Sequence, residues 1–121
     1  MQKENMTVEE RLDFLEYRQE LLFENSHYTR LLFEHEVTRE QSQAIGDVFE
    51  EYRQKIDAGE KAHSGVFEQR IYEVVPQHDG NYHFAEFLAQ ICHEDGRWTE
   101  VFETLYGDQM KFQSYMKKHR E

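Results

Sequence analysis

Apolar residues recur at intervals of three and four positions along most of the chain, and no stretch alternates strictly between apolar and polar residues. The first spacing is typical of amphipathic α-helices, whereas strict alternation would indicate half-buried β-strands. Glycine first appears at Gly46 and the single proline is Pro76, so helix-breaking residues are sparse in the N-terminal third. This pattern predicts an all-α, multihelical fold that forms a single domain over residues 1–121.

The N-terminal segment predicts a long helix with two apolar faces. Thr7 and Glu10 have the spacing of a capping box, in which each side chain accepts a hydrogen bond from the other residue's backbone amide. We expect the helix to run from Val8 to about Glu36, a length of about 43 Å. Residues 25–27 are weak helix formers, so a break would fall there. The two apolar sets on opposite sides are Leu12, Leu15, Leu22 and Phe23, and Phe14, Tyr17, Leu21, Tyr28 and Leu32.

Two opposed apolar stripes on one helix predict self-association. A surface helix needs only one stripe to pack on its own domain, whereas two stripes need a partner on each side. A helix of the expected length would also exceed the diameter of about 35 Å for a globule of this size. We therefore expect a homo-oligomer with long N-terminal helices. The predicted oligomer interface consists of Phe14, Tyr17, Leu21, Tyr28 and Leu32.

The later helices are predicted from their caps. Thr38 and Gln41 form a second capping box, and the helix that follows is expected to reach about Ala58 and to end at Gly59. The remaining helices are expected to begin at polar caps and to end at Pro76, Gly96 or Gly107. The predicted caps are Ser64, then Asp79 or Asn81, and finally Asp108, before a last helix with Phe112, Tyr115 and Met116.

The charge balance is strongly acidic. Asp plus Glu is 25 against 14 for Lys plus Arg, which gives a formal net charge of −11. Such a surface repels phosphate groups, so general binding to nucleic acid is disfavoured. An acidic surface instead favours a basic or amphipathic protein as a partner. Residues 117–120 (Lys-Lys-His-Arg) are the exception. Their positive charges favour the C-terminal end of a helix, where the helix dipole is negative. In the alternative interpretation, these residues contact nucleic acid.

Three features predict a cytoplasmic location. No run of about 18 apolar residues is present, so no membrane-spanning helix is expected. The first ten residues contain no apolar signal segment. The single cysteine, Cys92, permits no internal disulfide and suits a reducing compartment.

Metal binding is the chemical alternative that the histidines raise. Glu24 and His27, and also His83 and Glu86, are three residues apart, so each pair would share one face of a helix. With 7 histidines among many glutamates, such pairs also arise by chance. The metal candidates are therefore His27, Glu24, His83 and Glu86. No nucleophile elbow or phosphate-binding glycine loop is present, so we predict no catalytic residue and no cofactor.

Three segments of the C-terminal half carry a resemblance. They read NYHFAE at 81–86, EDGRW at 94–98 and VFETLYGD at 101–108. These segments resemble the signature of the YhaI-like family, small acidic proteins of bacilli, and the resemblance extends over nearly the whole chain. It implies an all-helical subunit in a cytoplasmic homo-oligomer, with an intertwined trimer as one arrangement. It implies no activity, ligand or catalytic residue.

The sequence thus favours a non-enzymatic, self-associating acidic helical protein that serves as an interaction or scaffold module. Two alternatives stay open. One is a small metal-binding helical protein that uses His and Glu side chains. The other is a regulator that contacts nucleic acid through its basic C-terminal tail.

Overall fold

The computed structural model describes residues 5–81 and 83–120, and within these ranges the chain is helical with no β-strand. Short 3-10 turns at Pro76–His78 and Met110–Phe112 precede α5 and α7. This architecture confirms the predicted all-α class. The α-helices are α1 (Val8–Glu24), α2 (His27–Glu34), α3 (Arg39–Asp57), α4 (Ser64–Val74), α5 (Phe84–Glu94), α6 (Thr99–Tyr106) and α7 (Gln113–Arg120).

The prediction of one long N-terminal helix is wrong, because the chain breaks between α1 and α2. Asn25 adopts a left-handed conformation with φ 52°, which asparagine tolerates better than most residues. The Ser26 side chain then caps α2 by accepting a hydrogen bond from the Thr29 amide at 3.0 Å. The chain turns back at this point, so that Nη1 of Arg18 donates to the carbonyl oxygen of Phe33 at 2.9 Å. With 17 residues, α1 is only about 26 Å long.

Both capping boxes are confirmed. The Glu10 amide donates to Oγ1 of Thr7 at 3.1 Å, and the Gln41 amide donates to Oγ1 of Thr38 at 3.1 Å. In each case the side chain at the third helical position also accepts from the backbone amide of the cap. Each box satisfies two amides that the first turn of the helix leaves without a partner.

The other predicted N-terminal caps are wrong, whereas the predicted end at Gly59 is confirmed, with Ala58 as the C-cap of α3 and Gly59 in a left-handed conformation. Ser64 is already the first residue of α4, and the position before it is His63. The cap of α5 is His83, two or more residues later than Asp79 and Asn81, and neither α4 nor α5 has a side-chain cap. After Asp108, the chain forms the 3-10 turn at Met110–Phe112 before α7 begins. These helices are fixed by packing rather than by local capping.

One contiguous apolar core lies between the helices and receives side chains from all seven. Its centre is aromatic, with the Phe67 ring packed edge-on against Phe49 and Tyr52 at centroid distances of 5.2 and 5.3 Å. Trp98, in a left-handed conformation with φ 47°, stacks on Phe49 at 4.8 Å. Its Nε1 donates to the Glu50 carboxylate at 3.2 Å. These contacts offset the backbone strain and set the start of α6.

Membrane crossing by a helix has no support in the described ranges, where no helix is both long and apolar enough to span a bilayer.

Candidate functional site

The two apolar faces of α1 have different environments in the folded chain. The face with Phe14, Tyr17 and Leu21 points inward, and these side chains are 7%, 8% and 4% exposed. Tyr28 and Leu32 of α2 are equally buried. The five residues predicted as the oligomer interface therefore lie inside the folded chain, and that prediction needs correction. The chain satisfies this face itself because α2 folds back instead of extending α1.

The opposite side of α1 is the apolar surface that the subunit leaves uncovered. We call it the outer stripe. Its members are between 52% and 94% exposed. They are Val8, Leu12, Leu15, Leu22 and Phe23.

Contacts with α3 hold α1 in the orientation that exposes the outer stripe. The Arg39 guanidinium lies 3.4 Å from the Asp13 carboxylate and 2.7 Å from the Glu20 carboxylate. The same guanidinium lies over the Tyr17 ring, 5.0 Å from its centroid. Arg39 thus clamps the inner and lateral sides of α1. The outer stripe faces away from this clamp.

Other exposed apolar side chains in the described residues do not form such a surface. Val66, Phe87 and Met110 are exposed, but they lie singly on α4, α5 and the turn before α7. Isolated apolar side chains are ordinary on protein surfaces, whereas a continuous patch marks an interaction site. The outer stripe is therefore the strongest candidate for a functional surface.

The first pair of metal candidates is separated by the break after α1. Oε1 of Glu24 lies 3.8 Å from the Arg97 guanidinium. His27 instead lies beside Glu94, with 3.5 Å between Nδ1 and Oε2. The expected common helical face does not exist, because Asn25 separates the two helices.

The second pair of metal candidates does meet. Nδ1 of His83 lies 2.9 Å from Oε1 of Glu86, while Oε2 of Glu86 accepts from Nζ of Lys111 at 2.5 Å. Burial alone would raise the pKa of Glu86, but the hydrogen bonds from Lys111 and His83 hold this pKa below its usual value. Glu86 is thus an ionised carboxylate whose two oxygens are both engaged.

Glu86 also lines a polar cleft of about 520 Å³ between α4, α5 and the turn at Met110–Phe112. Across the cleft, the Glu68 carboxylate accepts from the Tyr106 hydroxyl at 2.7 Å. The Tyr72 hydroxyl donates to the carbonyl oxygen of Asn81 at 2.5 Å. These side chains are engaged in hydrogen bonds within the protein. They link α4 to α6 and to the segment before α5. In the described part of the chain, no group of three or more His, Cys, Asp or Glu side chains is placed to hold a metal ion.

A buried histidine network is a feature that sequence analysis missed. His93 is 8% exposed, with Nδ1 2.6 Å from the Tyr115 hydroxyl and Nε2 2.8 Å from Oε2 of Glu103. Burial raises the pKa of Tyr115 to about 12, and the charges of Glu94 and Glu103 add to this effect. The phenol therefore stays protonated near neutral pH, and the contacts of His93 with Tyr115 and Glu103 tie α5 to α7 and α6. No local signal could have identified partners 10 and 22 residues away.

The remaining chemical candidates have structural explanations. Cys92 is a buried free thiol, and burial raises its pKa, which disfavours a thiolate nucleophile. In the basic tail, Lys117 and Lys118 are exposed. The His119 ring packs on Tyr115 of the same helix with 4.2 Å between centroids, and it lies 5.5 Å from the His93 ring of α5. Part of the tail is therefore used to anchor α7.

Comparisons of the chain with protein-family models, with curated proteins and with solved structures find no match. The resemblance to the YhaI-like family therefore stays a prediction.

Proposed function

We propose that this chain is a non-enzymatic, self-associating helical protein whose copies join through the outer stripe of α1. The observation that carries the proposal is the stripe itself, with five apolar side chains exposed along one face of a single helix. Such a surface gains free energy when it is removed from water. A second copy offers an equal surface of the same chemistry. The resulting assembly would serve as an interaction module or scaffold.

This proposal retains the self-association predicted from the sequence. It places the interface on the outer stripe, on the opposite face of α1 from the predicted one. Periodicity indicated that both faces needed a partner, and the inner face finds one in the chain's own core. The outer stripe then takes the role first assigned to Phe14, Tyr17 and Leu21. The family resemblance implies an intertwined trimer, which is the alternative to a dimer that joins two copies of α1.

The acidic surface shapes the rest of the proposal. A net charge of −11 favours a basic or amphipathic protein as an additional partner and disfavours nucleic acid. Cys92, a buried free thiol, is compatible with the proposed cytoplasmic location, where thiols stay reduced.

Analytical ultracentrifugation of matched variants tests this proposal. We expect the unaltered protein to sediment as a multiple of 14.7 kDa and Leu15→Asp to sediment as a folded monomer. Phe87→Asp is the control, because Phe87 is 48% exposed, close to the 57% of Leu15, but lies away from the stripe. This control should keep the oligomer. Retention of the native mass by a folded Leu15→Asp variant would contradict the proposal.

A further inference from the structure

Four members of the outer stripe, together with Gln19, have the residue spacing of a coiled-coil seam, while Phe23 lies beside them. Val8, Leu12, Leu15, Gln19 and Leu22 follow one another at intervals of four and three residues. In heptad notation, Val8, Leu15 and Leu22 occupy d positions, and Leu12 and Gln19 occupy a positions. The seam therefore contains one polar residue, Gln19, which is exposed in the subunit.

The charges beside the seam differ between its two edges. Glu9 and Glu16 occupy e positions on one edge, and Arg11 and Arg18 occupy g positions on the other. Glu9, Arg11 and Glu16 are exposed, whereas the Arg18 guanidinium is bound to the carbonyl oxygen of Phe33. Charges at these positions meet across a coiled coil and set the orientation of the two helices.

Orientation decides which charges meet. In a parallel pair, a g residue faces the e residue five positions later, so Arg11 of each copy faces Glu16 of the other. In an antiparallel pair, e faces e and g faces g, which places carboxylate against carboxylate and guanidinium against guanidinium. Opposite charges at close range attract and like charges repel, so the edges favour the parallel arrangement.

Gln19 supports the same orientation independently. In a parallel pair in register, a positions face each other, and two Gln19 amides can each donate to and accept from the other. In an antiparallel pair, an a position faces a d position. The Gln19 amide would then face Val8 or a leucine and lose hydrogen bonds on burial.

The subunit body does not obstruct this seam. Phe14, Tyr17 and Leu21 attach α1 to the core from the opposite side of the helix, so two bodies would project away from the shared seam. The core and the Arg39 clamp also hold α1 as a formed helix before any association. A preformed surface avoids the cost of ordering a free segment on binding.

We infer that α1 pairs in parallel and in register with α1 of a second copy, with Arg11 facing Glu16 across the seam. This inference rests on the proposed function and adds the orientation of the partner.

Cysteine cross-linking tests the orientation. In a Cys92→Ala background whose melting curve matches the unaltered protein, Val8→Cys and Leu22→Cys are made separately and oxidised mildly. These positions are about 21 Å apart along the helix. A parallel seam brings each position opposite its own counterpart, so we expect both variants to form covalent dimers. An antiparallel seam can do this for one of the two positions at most.

The outcomes separate the two proposals. If the native mass stays oligomeric but one or both variants fail to cross-link, the orientation is wrong and self-association stands. If the unaltered protein is monomeric, the proposed function fails, and the orientation fails with it.

Charge reversal gives a second test that distinguishes the two orientations. For a parallel seam, Arg11→Glu should weaken association about tenfold at low ionic strength, and Arg11→Glu combined with Glu16→Arg should restore it. Lys61→Glu, an exposed site outside α1, controls for the change in net charge. An antiparallel seam would not be weakened by Arg11→Glu, because Arg11 faces no carboxylate in that arrangement.

Discussion

The two faces of α1 carry the same kinds of side chain but differ in their exposure to solvent. The inner face, with Leu21 4% exposed, is covered by the chain's own helices, while the outer face leaves Leu15 57% exposed. A Leu on either face has the same transfer free energy, so the difference lies in what covers it. The inner face contributes to the stability of the subunit. The outer face can contribute only when another molecule covers it.

The largest effect should come from truncating the inner face. We expect Leu21→Ala to reduce the free energy of unfolding by about 2–5 kcal/mol, because it leaves a cavity in the core. Leu15→Ala, the matched change on the outer face, should leave the stability of the isolated subunit within about 0.5 kcal/mol. Urea denaturation of dilute protein measures both. Equal losses in the two variants would mean that the faces do not differ.

The chain break after α1 provides the next test, since it is what buries the inner face. Asn25→Ala should cost about 1–2 kcal/mol, because alanine disfavours the left-handed conformation with φ 52°. Asn25→Gly is the matched control and should be close to neutral, because glycine adopts this conformation freely. Urea denaturation again gives the result. A stabilised Asn25→Ala variant would indicate that α1 and α2 join into one helix.

The Arg39 clamp should have a smaller effect. Arg39→Ala removes the ion pairs with Asp13 and Glu20 and the contact with the Tyr17 ring. The Asp13 and Glu20 carboxylates are 58% and 59% exposed and the Arg39 side chain is 34% exposed, so we expect a loss of about 1 kcal/mol or less. In the Arg39→Ala variant, hydrogen exchange should be accelerated more in α1 than in α3. Unchanged hydrogen-exchange protection of α1 would show that Arg39 does not hold this helix in place.

The pH dependence gives the mildest test, at the junction that holds the end of α2. Burial holds the pKa of His78 below its ordinary value of 6.5, while its ring stacks on Phe84 at 4.7 Å and its Nε2 lies 2.6 Å from the carbonyl oxygen of His35. The unfolded chain therefore binds the proton more tightly than the folded chain. Stability should fall as the pH drops below 6.5 and level off below the folded pKa.

The control for this prediction is His78→Gln, which keeps a polar side chain but cannot titrate. Urea midpoints at several pH values should fall less steeply in His78→Gln than in the unaltered protein. Parallel curves for the two proteins would show that His78 does not contribute.

Local features were predictable from the sequence, and tertiary ones were not. The boxes at Thr7 and Thr38 depend on residues three positions apart, so their spacing was sufficient. Periodicity also identified both faces of α1. It could not show which face the chain covers, because that depends on whether the helix breaks at Asn25. The choice at Asn25 involves only about 1–2 kcal/mol of backbone preference.

The candidate site shows the same division. The His83–Glu86 pair was predicted and is present, but Lys111, 25 residues later, is also bound to Glu86. Glu24 and His27 do not share a helical face, because α1 ends between them at Asn25. The His93 network could not be predicted, because it joins side chains from three helices. Sequence spacing identifies neighbours within one helix and is silent about contacts between helices.

A native mass spectrum of the unaltered protein tests the central claim most directly. The outer stripe predicts a clean multiple of 14.7 kDa, with the monomer appearing only on dilution. A bare monomer of 14.7 kDa at high protein concentration would contradict the claim, because the outer stripe would then remain exposed without a partner of its own kind.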